Sequence, residues 1–393
     1  MSRTSVRRSV TAVLTAAIAG AVLTGGMAEA RPAQPDPTHS DTRAVLGRYQ
    51  AKAGPGAAVY AGDAAGSWHL SAGTAAINGP VRAITPDDHF RIASQTKTFT
   101  AAVVMQLVDE GKIELDGPIE RYLPGVVDGN GYDGSRITVR QLLQHTAGIP
   151  DPNVFAYAQK AAGIVKPDGS VELADLVRVG LQNFPPAFQP GAGLAYSNLG
   201  YLINGLLIQQ VTGMPVRDAI TSRIITPLGL TQTTYPASGD RSLPAPYLPG
   251  YTGGRIGPFF FWTETGSAPF LSEPSIEGSA GAVVSTLPDV SKFYRALLDG
   301  KVVSAASLAE MQKVQQTPGI PEYRGVGLGL QEIALPCGGV AWFHNGFSPA
   351  GWASVTAVTE DGRYASMVTN TMEMAGTRPL AVDVVDTALC DIR

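Results

Sequence analysis

The sequence predicts an α/β chain of the α+β type: an antiparallel β-sheet built from both chain ends, flanked by helices, with a mostly α-helical region inserted between them. Three observations lead there. Strand-like segments bounded by turn residues occur near residues 56–73 and return at 325–368. Helical periodicity dominates the interval between them, and no internal repeat interrupts it. The organisation expected is one domain over 41–393, with a sheet region from 41–93 and about 285–393 and a helical region over about 94–284.

The elements follow in order. Arg3, Arg7 and Arg8 precede an apolar run over 10–24, and Ala28-Glu29-Ala30 supplies small residues for cleavage. This pattern predicts a signal peptide over 1–30, cut near Ala30, and export without a stable membrane anchor. Residues 31–40 carry three prolines and read as a flexible leader. A helix is predicted over 41–52, then strands over 56–62 and 68–73 joined by turn material at Gly62-Asp63 and Gly66. Residues 90–93 form a short apolar approach. From Ser94 the period becomes helical, with Phe99, Val103, Val104, Leu107 and Val108 on repeating steps and Gly111 at the expected C-terminal stop.

Further helices are predicted over 139–145 and 201–211. Residues 238–270 are dense in Pro and Gly and contain Phe259, Phe260, Phe261 and Trp262. They read as a long irregular segment whose aromatics either line a cleft or anchor the loop to the core. Strands are predicted over 325–333, 340–344, 352–358 and 364–368, with Glu360-Asp361-Gly362 as a hairpin turn, and an amphipathic helix closes the chain over 379–390.

With 44% hydrophobic and 16% charged residues, the 393-residue chain has the composition of a globular protein. A net charge of -4 without a basic stripe argues against a nucleic-acid partner. Cys337 and Cys390 are the two cysteines. In an exported chain one disulfide is the simplest reading, with two buried thiols as the alternative. They do not make a metal site.

Chemistry-bearing residues fall in three short stretches. In Ser94-Gln95-Thr96-Lys97 a helix puts the hydroxyl and the amine on one face. Serine needs a neighbour to take its proton, and lysine can do so when burial lowers its pKa. Tyr196-Ser197-Asn198 offers a phenol that can pass a proton and an amide that can orient a carbonyl. The plainer reading of that stretch is a half-buried tyrosine followed by Asn198 as a helix cap. His344-Asn345-Gly346 ends a predicted strand, where glycine permits close approach by a ligand; the plainer reading is a turn with an exposed histidine.

Taken together and in this order, the three stretches resemble the active-site boxes of the serine penicillin-recognising enzymes. Leu142–Gly148, Gly278-Ser279-Ala280-Gly281 with Ser285-Thr286, and Gly327-Leu328-Gly329-Leu330 look like the branch that holds the secreted actinomycete D-alanyl-D-alanine carboxypeptidase, the class C β-lactamases and related esterases and D-aminopeptidases. The two cysteines also resemble that carboxypeptidase. The resemblance covers about 41–390. It implies a β-lactamase/transpeptidase-like fold and an acyl-enzyme formed on Ser94, with backbone N–H groups of Ser94 and Phe347 as oxyanion hole. Lys97 and Tyr196 would shuttle the proton, Asn198 would hold the substrate amide, and His344 would line the cleft and help catalysis through leaving-group protonation or electrostatics. No metal or organic cofactor is implied. The substrate would be a small molecule or a short D-amino-acid peptide, and nothing points beyond a monomer.

Two departures bear on substrate. The third box has Asn345 where Thr or Ser is usual, followed by Phe347, and Gln331 stands where the carboxypeptidase places an arginine for the substrate carboxylate. A lost charge-assisted contact is worth about 1.5–3 kcal/mol. The expected activity is therefore of D-alanyl-D-alanine carboxypeptidase type with weak selection for a free carboxylate. A D-stereospecific amidase, aminopeptidase, esterase or β-lactamase is the alternative, and a non-catalytic binder is the remote one.

Overall fold

The structure is a computed structural model. It describes residues 38–393 except 153, 257–258, 267–270, 317–322, 373–377 and 393. The expected signal peptide and almost all of the leader lie outside the described residues. Residues 39–393 form one compact unit.

The sheet has seven strands and is built from both ends of the unit, as the two separated blocks of strand pattern predicted. Helix α1 (Ser40–Ala53) leads into β1 (Gly56–Gly62) and β2 (Ser67–Gly73). The long buried helix α2 (Thr96–Asp109) and helix α3 (Asn198–Thr212) belong to the inserted region. Strands β3 (Tyr251–Ile256) and β4 (Phe259–Glu264) form a separate hairpin. Helices α4 (Pro274–Gly281) and α5 (Leu287–Leu298) follow. The remaining sheet strands are β5 (Tyr323–Val326), β6 (Gln331–Ala334), β7 (Val340–Ser348), β8 (Trp352–Thr359) and β9 (Tyr364–Thr369), and helix α6 (Ala381–Asp391) closes the chain. The strand order is β2-β1-β9-β8-β7-β6-β5, antiparallel throughout, with Ala57 opposite Thr369 where the two chain ends meet.

Period-2 alternation divides the sheet between two cores. Ala57, Val59, Phe343, Val355 and Met367 pack under α1 and α6, with Leu46, Tyr49, Val385 and Leu389. Ala58, Trp342, Trp352 and Val368 face the larger core shared with α2, α3 and α5. Helix α2 is buried on eleven of its fourteen residues, so it runs through the interior rather than along a surface. Its threonines meet the backbone around it. Thr98 Oγ1 donates to the Gly329 carbonyl at 2.7 Å and Thr100 Oγ1 to that of Ser279 at 2.7 Å.

Several local expectations change. The predicted strand over 325–333 is two strands, because Gly327 to Leu330 turn the chain, with Gly329 at φ 70°. Residues 344–346 do not end a strand: β7 continues to Ser348, and His344, Asn345 and Gly346 pair with Thr356, Val355 and Ser354. The segment over 238–270 is not wholly irregular, since β3 and β4 pair within it. The run Phe259–Thr263 has the aromatic and β-branched character that fits a pleated strand. Phe261 is 58% exposed, so it does not anchor the segment to the core. Cys337, between β6 and β7, and Cys390, on α6, form a disulfide. Among the described residues no helix is long and apolar enough to cross a membrane.

Candidate active site

Ser94 sits in a short 3₁₀ turn, Ala93–Gln95, that runs into α2, so the helix begins two residues later than the periodicity suggested. Ala93 adopts φ 48°, a left-handed conformation disfavoured for a residue with a Cβ. The sheet holds this strained turn from beneath. A Cβ at Gly346 would meet the Ile92 carbonyl oxygen at 2.0 Å, so glycine is needed there for the chain before Ser94 to lie against β7. The close approach at Gly346 is therefore made by the protein's own backbone, not by a ligand. Gln95 Nε2 donates to Ser354 Oγ at 2.7 Å from the neighbouring strand.

Lys97 is wholly buried one helical turn on, and its Nζ lies 3.1 Å from Ser94 Oγ. The same amine donates to Asn198 Oδ1 at 2.6 Å and to the Ala280 carbonyl at 2.8 Å. It also lies 4.8 Å from the centre of the Tyr196 ring. Burial pulls the lysine down from 10.5 to about 7, against the upward pull of Asp151 and Glu277. The Tyr196 hydroxyl hydrogen-bonds Ser94, and burial raises its pKa far above the usual phenol range.

Helix α3 presents Asn198, but the cap is Ser197, whose Oγ accepts from Gly200 N at 2.9 Å. Ser197 N donates to His145 Nδ1 at 3.0 Å, and the His145 ring packs 4.5 Å from that of Tyr196. His145 thereby holds the Tyr196–Asn198 stretch in place. Burial, with Lys97 and His344 nearby, keeps its pKa well below the ordinary value, so the ring is neutral.

A cavity of about 260 Å³ opens beside Ser94. Asn198 and Phe347 line it with apolar side chains that include Leu199, Leu202, Ile276 and Met372. His344, Gln331, Asn345 and Gly346 do not line it. His344 is buried rather than exposed, and burial together with Lys97 lowers its pKa to about 3. Its Nδ1 lies 2.6 Å from the Asn345 carbonyl, which makes Nδ1 the protonated nitrogen of a neutral ring. Gln331 pairs with Phe343 on the strand beyond β7.

Two pocket residues escaped sequence reasoning. Asp151 accepts from Asn198 N at 3.1 Å and from Asn198 Nδ2 at 3.1 Å. Glu277, on α4, is the other carboxylate in the lining. Neither belongs to a periodic pattern. The available signal was proximity to stretches already singled out, His145 to Gly148 for Asp151 and Gly278 to Gly281 for Glu277. Among the described residues no group of three or more His, Cys, Asp or Glu side chains gathers that would hold a metal ion.

The family model described as Beta-lactamase matches residues 42–388. Penicillin-binding protein 4 of Amycolatopsis lactamdurans is 30% identical over 300 residues, 73% of this chain and 74% of that protein. Against two other curated relatives, the unguisins hydrolase of Aspergillus campestris and penicillin-binding protein 4* of Bacillus subtilis, the match spans 44% and 48% of their length. The solved structure of a D-stereospecific amidohydrolase from Streptomyces sp. is 37% identical with a TM-score of 0.73, covering 85% of this chain and 94% of that one. The D-amino acid amidase of Ochrobactrum anthropi SV3, solved with L-phenylalanine amide, is 26% identical with a TM-score of 0.72, covering 89% and 96%.

Proposed function

Because the chain belongs to the beta-lactamase family, we propose that it is an exported serine hydrolase that cleaves D-amino-acid amides and short D-amino-acid peptides through an acyl-enzyme on Ser94. The observation that carries this reading is the setting of Lys97. A neutral amine has two N–H groups and one lone pair. The carbonyl oxygens of Asn198 and Ala280 take the two N–H groups, which leaves the lone pair for the hydroxyl of Ser94, 3.1 Å away.

The division of labour follows from the two opposite pKa shifts. Lys97, near 7, accepts the proton of Ser94 as Oγ attacks the substrate carbonyl. Tyr196, raised far above neutrality, stays protonated and donates to the leaving nitrogen. The C–N bond breaks, the amine departs, and the acyl group remains as an ester on Ser94. Lys97 passes the proton it took to the Tyr196 phenolate and is neutral again; water then attacks the ester and gives its proton to Lys97, which returns it to Ser94 Oγ as the acyl–oxygen bond breaks and the acid leaves. The N–H of Ser94 and that of Phe347 serve as the oxyanion donors. Asn198 bridges Lys97 and the pocket. His344, held neutral with Nδ1–H spent on Asn345, stays outside the proton path.

Amides are favoured over a free D-Ala-D-Ala terminus by charge. The charged side chains lining the pocket are the carboxylates of Asp151 and Glu277, and Gln331 supplies no cation for a substrate carboxylate. The similarity to the Streptomyces amidohydrolase and to the Ochrobactrum amidase supports the same choice. The carboxypeptidase reading retains one specific support, the 30% identity to a penicillin-binding protein.

The test compares hydrolysis of D-phenylalanine amide with that of a D-Ala-D-Ala peptide, using Ser94→Ala as control, and takes the intact mass after penicillin. Amide turnover lost in Ser94→Ala supports the proposal. Turnover confined to the free-acid peptide, with a penicillin adduct on Ser94, returns the assignment to a carboxypeptidase. Activity that survives Ser94→Ala refutes the mechanism.

A further inference from the structure

The two pocket carboxylates are not equivalent. Asp151 is already engaged by the backbone N–H and the side-chain amide of Asn198. The Glu277 side chain accepts no hydrogen bond and joins no ion pair among the described residues; Arg91 and Lys97 act on it only through space. Neither cation makes a hydrogen bond or an ion pair with it. Lys97 has all its positions taken by Ser94, Asn198 and Ala280. Arg91 is buried and donates to the Arg241 carbonyl at 2.9 Å.

Glu277 also has a seat shaped for it. Gly281 lies four residues on, past a break in α4 at Gly278 (φ 48°, ψ -142°), and a Cβ there would meet Glu277 Oε2 at 2.2 Å. The missing side chain lets the carboxylate lie against Gly281 at the wall of the Ser94 pocket, beside Ile276 and Ala280. A half-buried carboxylate without a donor is costly unless something charged or hydrogen-bonding completes it.

Resting on the amidohydrolase reading above, we infer that Glu277 is the specificity residue that receives the free α-ammonium of the substrate's acyl moiety. The protein would then act on uncapped amino-terminal D-residues. The ammonium supplies the N–H donors that Glu277 lacks, and the apolar wall around it strengthens the pair by excluding water. An N-acylated substrate offers a neutral amide in the same place and leaves the carboxylate incomplete.

The experiment measures kcat/KM at about pH 7 for D-phenylalanine amide and for N-acetyl-D-phenylalanine amide, and reads their ratio within each protein, so that general losses cancel. Burial raises Glu277 to about 7, and an α-amine titrates at about 7.7–8.0, so at that pH the ammonium is present and pairing with it favours the ionised carboxylate. In the wild type the ratio should favour the free amine by about tenfold to a hundredfold, the range of a hydrogen bond to a charged group. Glu277→Gln should bring it to near unity, chiefly through KM, and Glu277→Asp should restore part of it. Gly281→Ala, which crowds the same carboxylate, should lower the ratio without touching the acid itself. An unchanged ratio in Glu277→Gln, or a wild type that hydrolyses both amides equally, overturns the inference and leaves the hydrolase reading intact. Acylation of Ser94 by p-nitrophenyl acetate with no hydrolysis of either amide overturns both the substrate reading and this inference.

Discussion

A kcat/KM profile for p-nitrophenyl acetate between about pH 5 and about pH 10 follows the ionisation of the free protein's essential groups, because this substrate carries no titrating group of its own. Lys97 is wholly buried, and desolvation takes it from 10.5 to about 7. An ordinary lysine keeps roughly one amine in three thousand neutral at pH 7, whereas a group at about 7 keeps about half, a gain of about a thousandfold in working base. The profile should therefore rise about tenfold per pH unit on the acid side, bend near 7 and level above it. Stability carries the opposite face of the same shift. Between about 7 and 10.5 the unfolded chain binds a proton at Lys97 that the folded chain does not, so stability climbs with pH through that window. Below about 7 the cost of burying this lysine is at its full value, roughly 5 kcal/mol as an upper bound. Lys97→Met should lower kcat/KM by at least about a thousandfold and raise the Tm, more at about pH 6 than at about pH 10. A profile that bends near 10, a flat one, or a Lys97→Met protein with unchanged activity would refute the assignment of Lys97 as base.

Two further outcomes test how the fold supports the site. Gly346→Ala places a Cβ 2.0 Å from the Ile92 carbonyl and must push β7 and the Ser94 turn apart; thermal unfolding should report a loss of about 1–3 kcal/mol, and ester hydrolysis should fall with it because Ser94 is displaced. Replacing Cys337 and Cys390 by serine opens a link across 53 residues; denaturant unfolding should show a loss of up to about 4 kcal/mol on the chain-entropy account. The rate of Ser94 acylation below the unfolding transition should hardly change, since that link ties α6 to the β6–β7 turn and neither cysteine lines the pocket.

Much of the architecture was legible because it is local. Alternation over 56–62, 352–358 and 364–368 marks strands whose two faces meet different cores, and those bounds agree with β1, β8 and β9 to within a residue. Where a turn hides inside an apolar run, as at Gly327–Leu330, pattern reading merged two strands. The same reading gave 238–270 no regular structure, since the β3–β4 pairing is decided by the partner strand.

Sequence alone determined the contact between Ser94 and Lys97, because an i, i+3 spacing on a helical turn brings the two side chains together wherever that helix is placed. It also supplied the even pair of cysteines and the order of the three stretches. Only tertiary structure decided that Lys97 gives up its charge. That depends on carbonyl partners 101 and 183 residues away and on the burial of the whole of α2. Only tertiary structure picked Asp151 and Glu277 from among 33 acidic residues and left the second of them without a donor. Desolvation is the reason for both outcomes. It depends on what surrounds a group in three dimensions, and a residue's neighbours in sequence do not report it.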